Sequence, residues 1–435
     1  MKKNKIIFSL IILLLFFFLN LRADEPKING GVLFYDYNFF WQNSDFNSVT
    51  SDSDEFSYIH LDFHINADFG NGISFFASLG SWGQFGQHPV WGIPADPRAT
   101  MLEGYLNFDK LFGPFSVKIG KFRFLYGDGI VAFDGGEDGT LGMNVYSRSK
   151  IFDIDIFYRK PFQGGGIAEV YFPGTQTSIE ERGDIDYSIH VLGVYPTLKL
   201  AEDKFKISPY LFYRKTGVNK PLWLGLRMEA SPTKSFSAKA EYVSLSGDLN
   251  ETIKYSAYAY LGGLQYTMGN GAFFGANIYG FSGDDSKTDD SELYIAVIDS
   301  PFANGFYHWW PGLGPAHLMT TGYGFSCIAD WNPTMTNLNV FDVYAGYSTK
   351  EYSMRVTYWN YSRNKLLVGQ ENKAMGSEFS FFGTYNIRNI VTIGASIGYW
   401  MPGDYFKKDL GIGDNTSGML GGFIFLFKSF DFKIK

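Results

Sequence analysis

Between Leu222 and Tyr242 the chain reads LWLGLRMEASPTKSFSAKAEY, two runs of strict alternation around a short break. Leu222, Leu224, Leu226, Met228 and Ala230 share one parity, and Trp223, Gly225, Arg227, Glu229 and Ser231 the other. After Pro232-Thr233-Lys234, Phe236, Ala238, Ala240 and Tyr242 alternate with Lys239 and Glu241. Successive strand side chains point to opposite faces, so each run carries one apolar face and one charged face. A turn between such runs makes a β-hairpin. One hairpin of this kind would suit a soluble sandwich. Repeated along the chain behind an export signal, it predicts an all-β transmembrane antiparallel up-and-down barrel, apolar outward to lipid and polar inward to a lumen.

The export signal is read from residues 1–23. Lys2, Lys3 and Lys5 precede the apolar run Ile6–Leu19, and Leu21-Arg22-Ala23 ends in a small residue suited to cleavage. An uncleaved anchor is the alternative, but the run is short for a spanning helix. Residues 24–435 are then the barrel. No later stretch has eighteen consecutive apolar residues, and the mean hydropathy is only −0.10 although aromatics make up 19% of the chain. Alternate-residue lipid exposure gives that near-neutral average. Cys327 is the only cysteine, so no disulfide framework exists. A net charge of −7 argues against nucleic acid as a partner.

In chain order, Val32–Gln42 places Leu33, Tyr35, Tyr37, Phe39 and Trp41 opposite Asp36 and Asn38, and the aromatic row is assigned to lipid. Tyr58–Asp68 sets Ile59, Leu61, Phe63 and Ile65 against His60, Asp62, His64, Asn66 and Asp68. Connections then alternate short and long, as in barrels with periplasmic turns and longer extracellular loops. The count is about eighteen strands, with sixteen as the alternative, because strand edges are the weakest boundaries in a sequence.

Few motifs suggest chemistry. Gly394-Ala395-Ser396-Ile397-Gly398 matches the nucleophile-elbow pattern but lies mid-strand, where no strand-to-helix turn exposes the serine. His60, Asp62 and His64 share a face, yet alternate residues stand roughly 6.8 Å apart, too far for one tetrahedral site. The acidic stretch Asp284–Glu292 lacks the EF-hand order and reads as a solvated loop. No metal, cofactor or catalytic residue is expected. The assigned lumen face is the informative one. It carries Lys118, Arg159, Lys206, Arg214, Arg227, Lys239 and Arg355, and Asp36, Asp62, Asp68, Glu103, Asp109, Asp153, Asp155, Glu229, Glu241, Asp342 and Glu378. Opposed charges across a channel order water and polar solutes, whereas a fully paired network would merely fill the barrel; eighteen strands enclose too wide a lumen for that.

Lys121 and Arg123 stand where a strand meets the Gly-rich loop LYGDGIVAFDGG. Either both rise above the bilayer or the strand bulges and turns them inward. Gly120-Lys121 followed by Phe133-Asp134-Gly135 resembles the Gly-Arg and Phe-Asp-Gly elements of the alginate-export porin family. Asn337-Leu338, Gly376, Glu378 and Pro402-Gly403 resemble that family's final hairpins. The resemblance covers about a quarter of the chain. It implies an eighteen-stranded outer-membrane channel and favours the inward placement of Lys121 and Arg123.

The expected function is passive diffusion or export of a small polar or charged solute, with carbohydrate among the options, through the bacterial outer membrane. The lining of mixed sign suits a small solute better than a polyuronate. A surface-binding or adhesive barrel is the alternative, with His308, Trp309 and Trp310 of the long Gly283–Thr336 region as its contacts; an outer-membrane enzyme comes third. Lipid and a small polar or anionic solute are the expected partners, with the oligomeric state open.

Overall fold

The chain reverses where positive φ is tolerated. Gly70, Asn71 and Gly72 have φ of 75°, 52° and 78°, and Gly113, Ala201, Glu202, Asp203, Gly271 and Arg388 mark later reversals. Between them lie long strands. The structure is a computed structural model that describes residues 27–43, 48–49, 53–86, 98–123, 125–127, 130–133, 139–160, 189–284, 287–295, 297, 337–366, 368–388, 390–409 and 411–434. The expected signal at 1–23, Cys327 and the loop contacts His308, Trp309 and Trp310 lie outside the described residues.

The first strands are β1 (Lys27–Gln42), β2 (Ser53–Asp68), β3 (Ile73–Gly86), β4 (Arg98–Phe112) and β5 (Phe115–Phe122). A two-residue pair, β6 (Leu125–Tyr126) and β7 (Ala132–Phe133), forms its own small hairpin. Then come β8 (Thr140–Arg148), β9 (Phe152–Lys160), β10 (His190–Leu200), β11 (Phe205–Lys215), β12 (Lys220–Thr233) and β13 (Phe236–Asp248). The rest are β14 (Ala257–Thr267), β15 (Ala272–Phe281), β16 (Leu338–Ser348), β17 (Tyr352–Arg363), β18 (Ala374–Ile387), β19 (Val391–Pro402) and β20 (Met419–Ile434). All but β6 and β7 form one 18-stranded sheet. Each strand pairs antiparallel with its neighbours, and β1 pairs with both β2 and β20. The sheet therefore closes on itself and leaves no edge. The expected eighteen strands are the ones found, and the sixteen-strand alternative is excluded.

Closure sorts the residues of each strand by parity. Leu224, Ile278 and Ile424 are 60%, 48% and 55% exposed on the outer face, whereas Val243 and Phe212 are fully buried on the inner one. The parity read from Leu222–Tyr242 holds, since Arg227 and Glu241 are buried inside. One connection breaks the alternation of lengths: Thr216–Asn219 is a tight turn on the long-loop side.

β1 corrects the sequence reading. Tyr35 and Tyr37 point inward, where Tyr37 packs on Phe423 and Phe425 and Tyr35 on Phe427 and His60. Asp36, expected in the lumen, lies on the outer face, where it pairs in register with Ile59 and Leu426. The aromatic row of β1 is the inner one, while Val32 and Phe34 share the outer face with Asp36 and Asn38. Hydrophobic alternation therefore cannot decide its parity, and a shift of one residue inverts every side chain. The closing pairs β1–β2 and β1–β20 decide it instead.

Candidate functional site

The barrel is narrowed from within by two segments that the sequence shows only as loops. The first follows β5. In a stretch otherwise rich in Gly and Asp, Ile130, Val131 and Ala132 fold into the barrel and are buried. The Tyr126 ring stacks on Phe157 at 4.8 Å and also meets Tyr195 and Phe212. Arg159 clamps the base of this segment. Its guanidinium lies 3.5 Å from the Phe122 ring centroid and donates to the carbonyls of Phe122, Thr140 and Arg123. An arginine with its fork spent on carbonyls and its face on a ring is a structural tie.

The second segment follows β15. Ser282 Oγ donates to the Glu292 carbonyl, and beyond it the chain lies against the inner wall and meets the first segment. Tyr294 Oη donates to the Ile130 carbonyl at 2.7 Å, and the Val297 amide to the Val131 carbonyl at 2.8 Å. The wall holds it from behind: Trp223 Nε1 donates to the Ile295 carbonyl at 2.9 Å, and Arg214 to that of Val297 at 3.2 Å. At the rim, Lys365 pairs with Glu292 at 2.7 Å. Burial, and then the Glu241 carboxylate, hold the Tyr294 phenol well above the ordinary tyrosine range, so it remains a donor. Two stretches more than 150 residues apart in sequence thus form one internal partition against the wall of β9–β15.

Below this partition the wall is charged. Arg227 bonds Glu241 at 3.1 Å and Glu229 at 2.9 Å, and Tyr210 Oη donates to Glu241 at 2.8 Å. Lys206 lies 3.9 Å from Glu229. Asp153 pairs with Lys199 and Asp155 with Arg148, both at 2.8 Å. Arg355 faces Asp342 at 3.7 Å, donates to Thr357, and lies over the Tyr344 ring. Asn277 donates to the same aspartate at 2.9 Å. Between β12 and β17 the wall lines an open-sided cavity of about 220 Å³, bordered by Arg227, Glu229, Lys239, Asn277, Tyr344 and Arg355, among others. Its charged lining is three cations and one carboxylate.

Most of the sequence-assigned lining faces inward, but it is not one cluster. Lys118 lies over the rings of Tyr105 and Phe122. Asp62, His60 and His64 belong to the inner wall, with Asp62 accepting from Ser78 while His60 and His64 lie against Tyr35 and Phe76. Glu378 is fully buried, in register between Trp359 and Trp400. Ser396 is buried mid-strand and donates to the Phe381 carbonyl.

Lys121, like Asp36, does not face inward. It pairs with Gly104 and Leu141, and Leu141 is exposed on the outer face. Its ammonium donates to the Met101 carbonyl there. The strand keeps its parity through Lys121, so the inward placement fails for that residue. Arg123, beyond the strand end, does reach the lumen and pairs with Glu103 at 3.2 Å. Gly120, with φ of 137°, sits against the Gly104 carbonyl where a Cβ would clash. The glycine of the Gly-Lys motif is thus fixed by backbone geometry. Of the other motif, Asp134 and Gly135 lie outside the described residues.

A closed barrel of eighteen antiparallel strands, apolar outside, charged inside and partitioned by inward loops, has the architecture of porins. Among solved structures, the chain is similar to OccK5 (OpdH) of Pseudomonas aeruginosa, with a TM-score of 0.59 at 11% identity over 95% of this chain and 99% of that one. It is similar to OpdK of the same organism, solved with vanillate, at 0.60 and 10% identity over 93% and 99%. OccK2 (OpdF) of the same organism, solved with glucuronate, gives 0.56 and 10% identity over 95% and 99%. No protein-family model matches the chain, and no curated protein matches it. At such identities the likeness establishes the fold.

Proposed function

We propose that the protein is an outer-membrane channel for passive diffusion of small polar solutes, with a modest preference for anions. The observation that carries this reading is the cavity between β12 and β17. Arg227, Lys239 and Arg355 line it with Glu229 as the one carboxylate, beside the neutral donors Asn277 and Tyr344. Charged side chains on a pore wall replace part of a solute's hydration, and an excess of one sign biases which ions enter. Pairing of Arg227 with Glu241 and of Arg355 with Asp342 tempers that excess, which is why the preference is modest.

Two neighbours of the same fold support the reading, because vanillate and glucuronate, the compounds in their structures, are both small carboxylates. The motif resemblance to the alginate-export family is the weaker guide. Its basic residue, Lys121, lies on the outer face, and the lumen carries both signs of charge. A small solute fits that lumen better than a polyuronate. The residues assigned to the pathway are Arg227, Glu229, Lys239 and Arg355 at the cavity, with Arg123 and Lys118 nearer the partition.

The test is ion selectivity in planar bilayers. In a salt gradient, wild-type channels should show a reversal potential on the anion side. Replacement of Lys239 and Arg355 by Gln should move it toward cations, more strongly at low salt where screening is weaker. An unchanged reversal potential in the double variant would remove the cavity from the pathway.

A further inference from the structure

The outer face of β9–β12 ends in basic residues. One register row runs through Tyr158, Leu192, Tyr213 and Leu222, each paired with the next across neighbouring strands. Side chains of one parity recur every second residue, so the next outer row toward the long loops is Lys160, His190, Lys215 and Lys220. His190 pairs directly with Lys215, and the bridge between Thr216 and Asn219 sets Lys215 beside Lys220. Neighbouring strands lie about 4.8 Å apart, so the four positions fit within about 15 Å.

This row sits where the wall leaves the apolar band. Phe152, Phe205 and Phe236, exposed on the outer face, mark the short-turn end of that band. Lys160, Lys215 and Lys220 lie eight, ten and thirteen residues from the short-turn ends of β9, β11 and β12. At roughly 3.3 Å per residue and a tilt of about 40°, that is about 20 to 33 Å along the barrel axis, against an apolar band about 25 Å tall. Tyr158 and Tyr213, one row below, hold the place of the second aromatic girdle. Tyr158 Oη is hydrogen-bonded to His190 Nδ1 at 2.6 Å, which ties the histidine ring to that girdle.

Lys215 and Lys220 are exposed and Lys160 is half-buried. Among the described residues, none of the three has a carboxylate within ion-pair distance, and Asp248, in register with Lys220, ends the row on β13. The far side of the rim differs. There β17–β19, β1 and β2 present Ser362, Ser377, Met401, Gln42 and Glu55 on the outer face near their long-loop ends. A long lysine side chain rooted at the edge of the apolar band carries its ammonium into the headgroup layer. The anion held at that depth is a lipid phosphate, and it complements a cation that has no carboxylate partner in the protein.

We propose that Lys160, Lys215 and Lys220, with His190 between them, bind phosphate groups of outer-leaflet lipid. The inference rests on the reading that the barrel spans an outer membrane. It gives the rim of β9–β12 a lipid-holding role separate from the lumen.

The test is lipid retention by the full chain in nanodiscs of phosphatidylcholine doped with diphosphorylated lipid A, read by native mass spectrometry after release into detergent. The wild type should keep lipid A through washing and lose the chemically dephosphorylated form. A lysine at an anionic lipid surface is worth roughly fivefold in binding, so Lys160→Gln, Lys215→Gln and Lys220→Gln together should weaken retention about 100-fold. The triple Lys160→Arg, Lys215→Arg and Lys220→Arg should keep the lipid. Lys204→Gln with Lys234→Gln, at the short turns, should also leave retention at the wild-type level. Heat-dependent gel mobility and an unchanged conductance per barrel show that each variant is folded. Equal retention of the dephosphorylated lipid, or a Gln triple that binds as well as the wild type, would overturn the proposal. So would displacement of lipid A by millimolar inorganic phosphate, which would make the row a site for the free ion. A lysine-dependent mass of two chains without lipid would overturn it in favour of a contact between copies. A wild type that fails to enter bilayers would overturn the membrane reading itself.

Discussion

Tyr294→Phe removes one oxygen from the middle of the internal partition. In the native structure that hydroxyl donates to the Ile130 carbonyl at 2.7 Å, and Ile130 and Tyr294 are both buried. Phenylalanine keeps the ring contact with Phe281 but leaves a buried carbonyl without this donor. An unsatisfied buried group costs about 1–3 kcal/mol. Applied to the contact between segments, that cost raises the population with the two segments parted by about 5- to 150-fold. The Val297–Val131 backbone bond and the ties from Trp223 and Arg214 remain, so the partition should loosen without falling apart. Single-channel recording reads the effect as more frequent excursions to a higher conductance. The converse variant, Val131→Cys with Val297→Cys in a Cys327→Ser background, should give a quieter channel when oxidised and native noise when reduced. If Tyr294→Phe and the oxidised pair both leave mean conductance and noise at the wild-type level, the two segments do not bound the pathway.

Three other outcomes follow from residues already placed. Glu241→Ala should destabilise the barrel by about 3–5 kcal/mol in urea titrations from lipid vesicles, because it leaves Arg227 with a buried, partly uncompensated charge; a cost below ~1 kcal/mol would mean water or Glu229 takes over. Arg123→Glu should shift the reversal potential toward cations, whereas Lys121→Glu should leave it in place, since only Arg123 reaches Glu103 in the lumen; equal shifts would contradict the parity assigned to β5. Leu224→Arg, on the 60% exposed outer face, should cost about 2–4 kcal/mol if it lies near the bilayer midplane, and Leu224→Cys should resist a water-soluble thiol reagent that labels Glu229→Cys.

The barrel was legible because its signal is repeated. Each hairpin like Leu222–Tyr242 restates the same parity, so the fold, the strand number and most inward charges survive errors at single strand edges. β1 failed for a local reason. Its aromatic row, with Tyr35 and Tyr37, faces inward while Asp36 and Asn38 face outward, the reverse of the other strands, and the deciding partners, Phe423, Phe425 and Phe427, are almost four hundred residues away in sequence. The partition was hidden for a related reason. Ile130, Val131 and Tyr294 are apolar residues in irregular stretches, which have no period to read. Their one local signal is the apolar run Ile130-Val131-Ala132 within a loop otherwise rich in Gly and Asp. A surface loop has little reason to hold such a run. Arg159, Arg214 and Arg227 look alike in sequence as lumen cations. Only the structure separates the first two, which tie loop carbonyls, from the third, which borders the cavity.

On the proposed reading the lumen is an open pathway with a mild excess of positive charge at the cavity lined by Arg227, Lys239 and Arg355. Zero-current potential across a planar bilayer, measured for the wild type in a tenfold potassium chloride gradient, tests it most directly. The structure predicts stable single-channel steps and a reversal potential displaced modestly to the anion side, shrinking as total salt rises. Absence of conductance steps would mean a filled barrel, and a cation-side potential would contradict the role given to Arg227, Lys239 and Arg355.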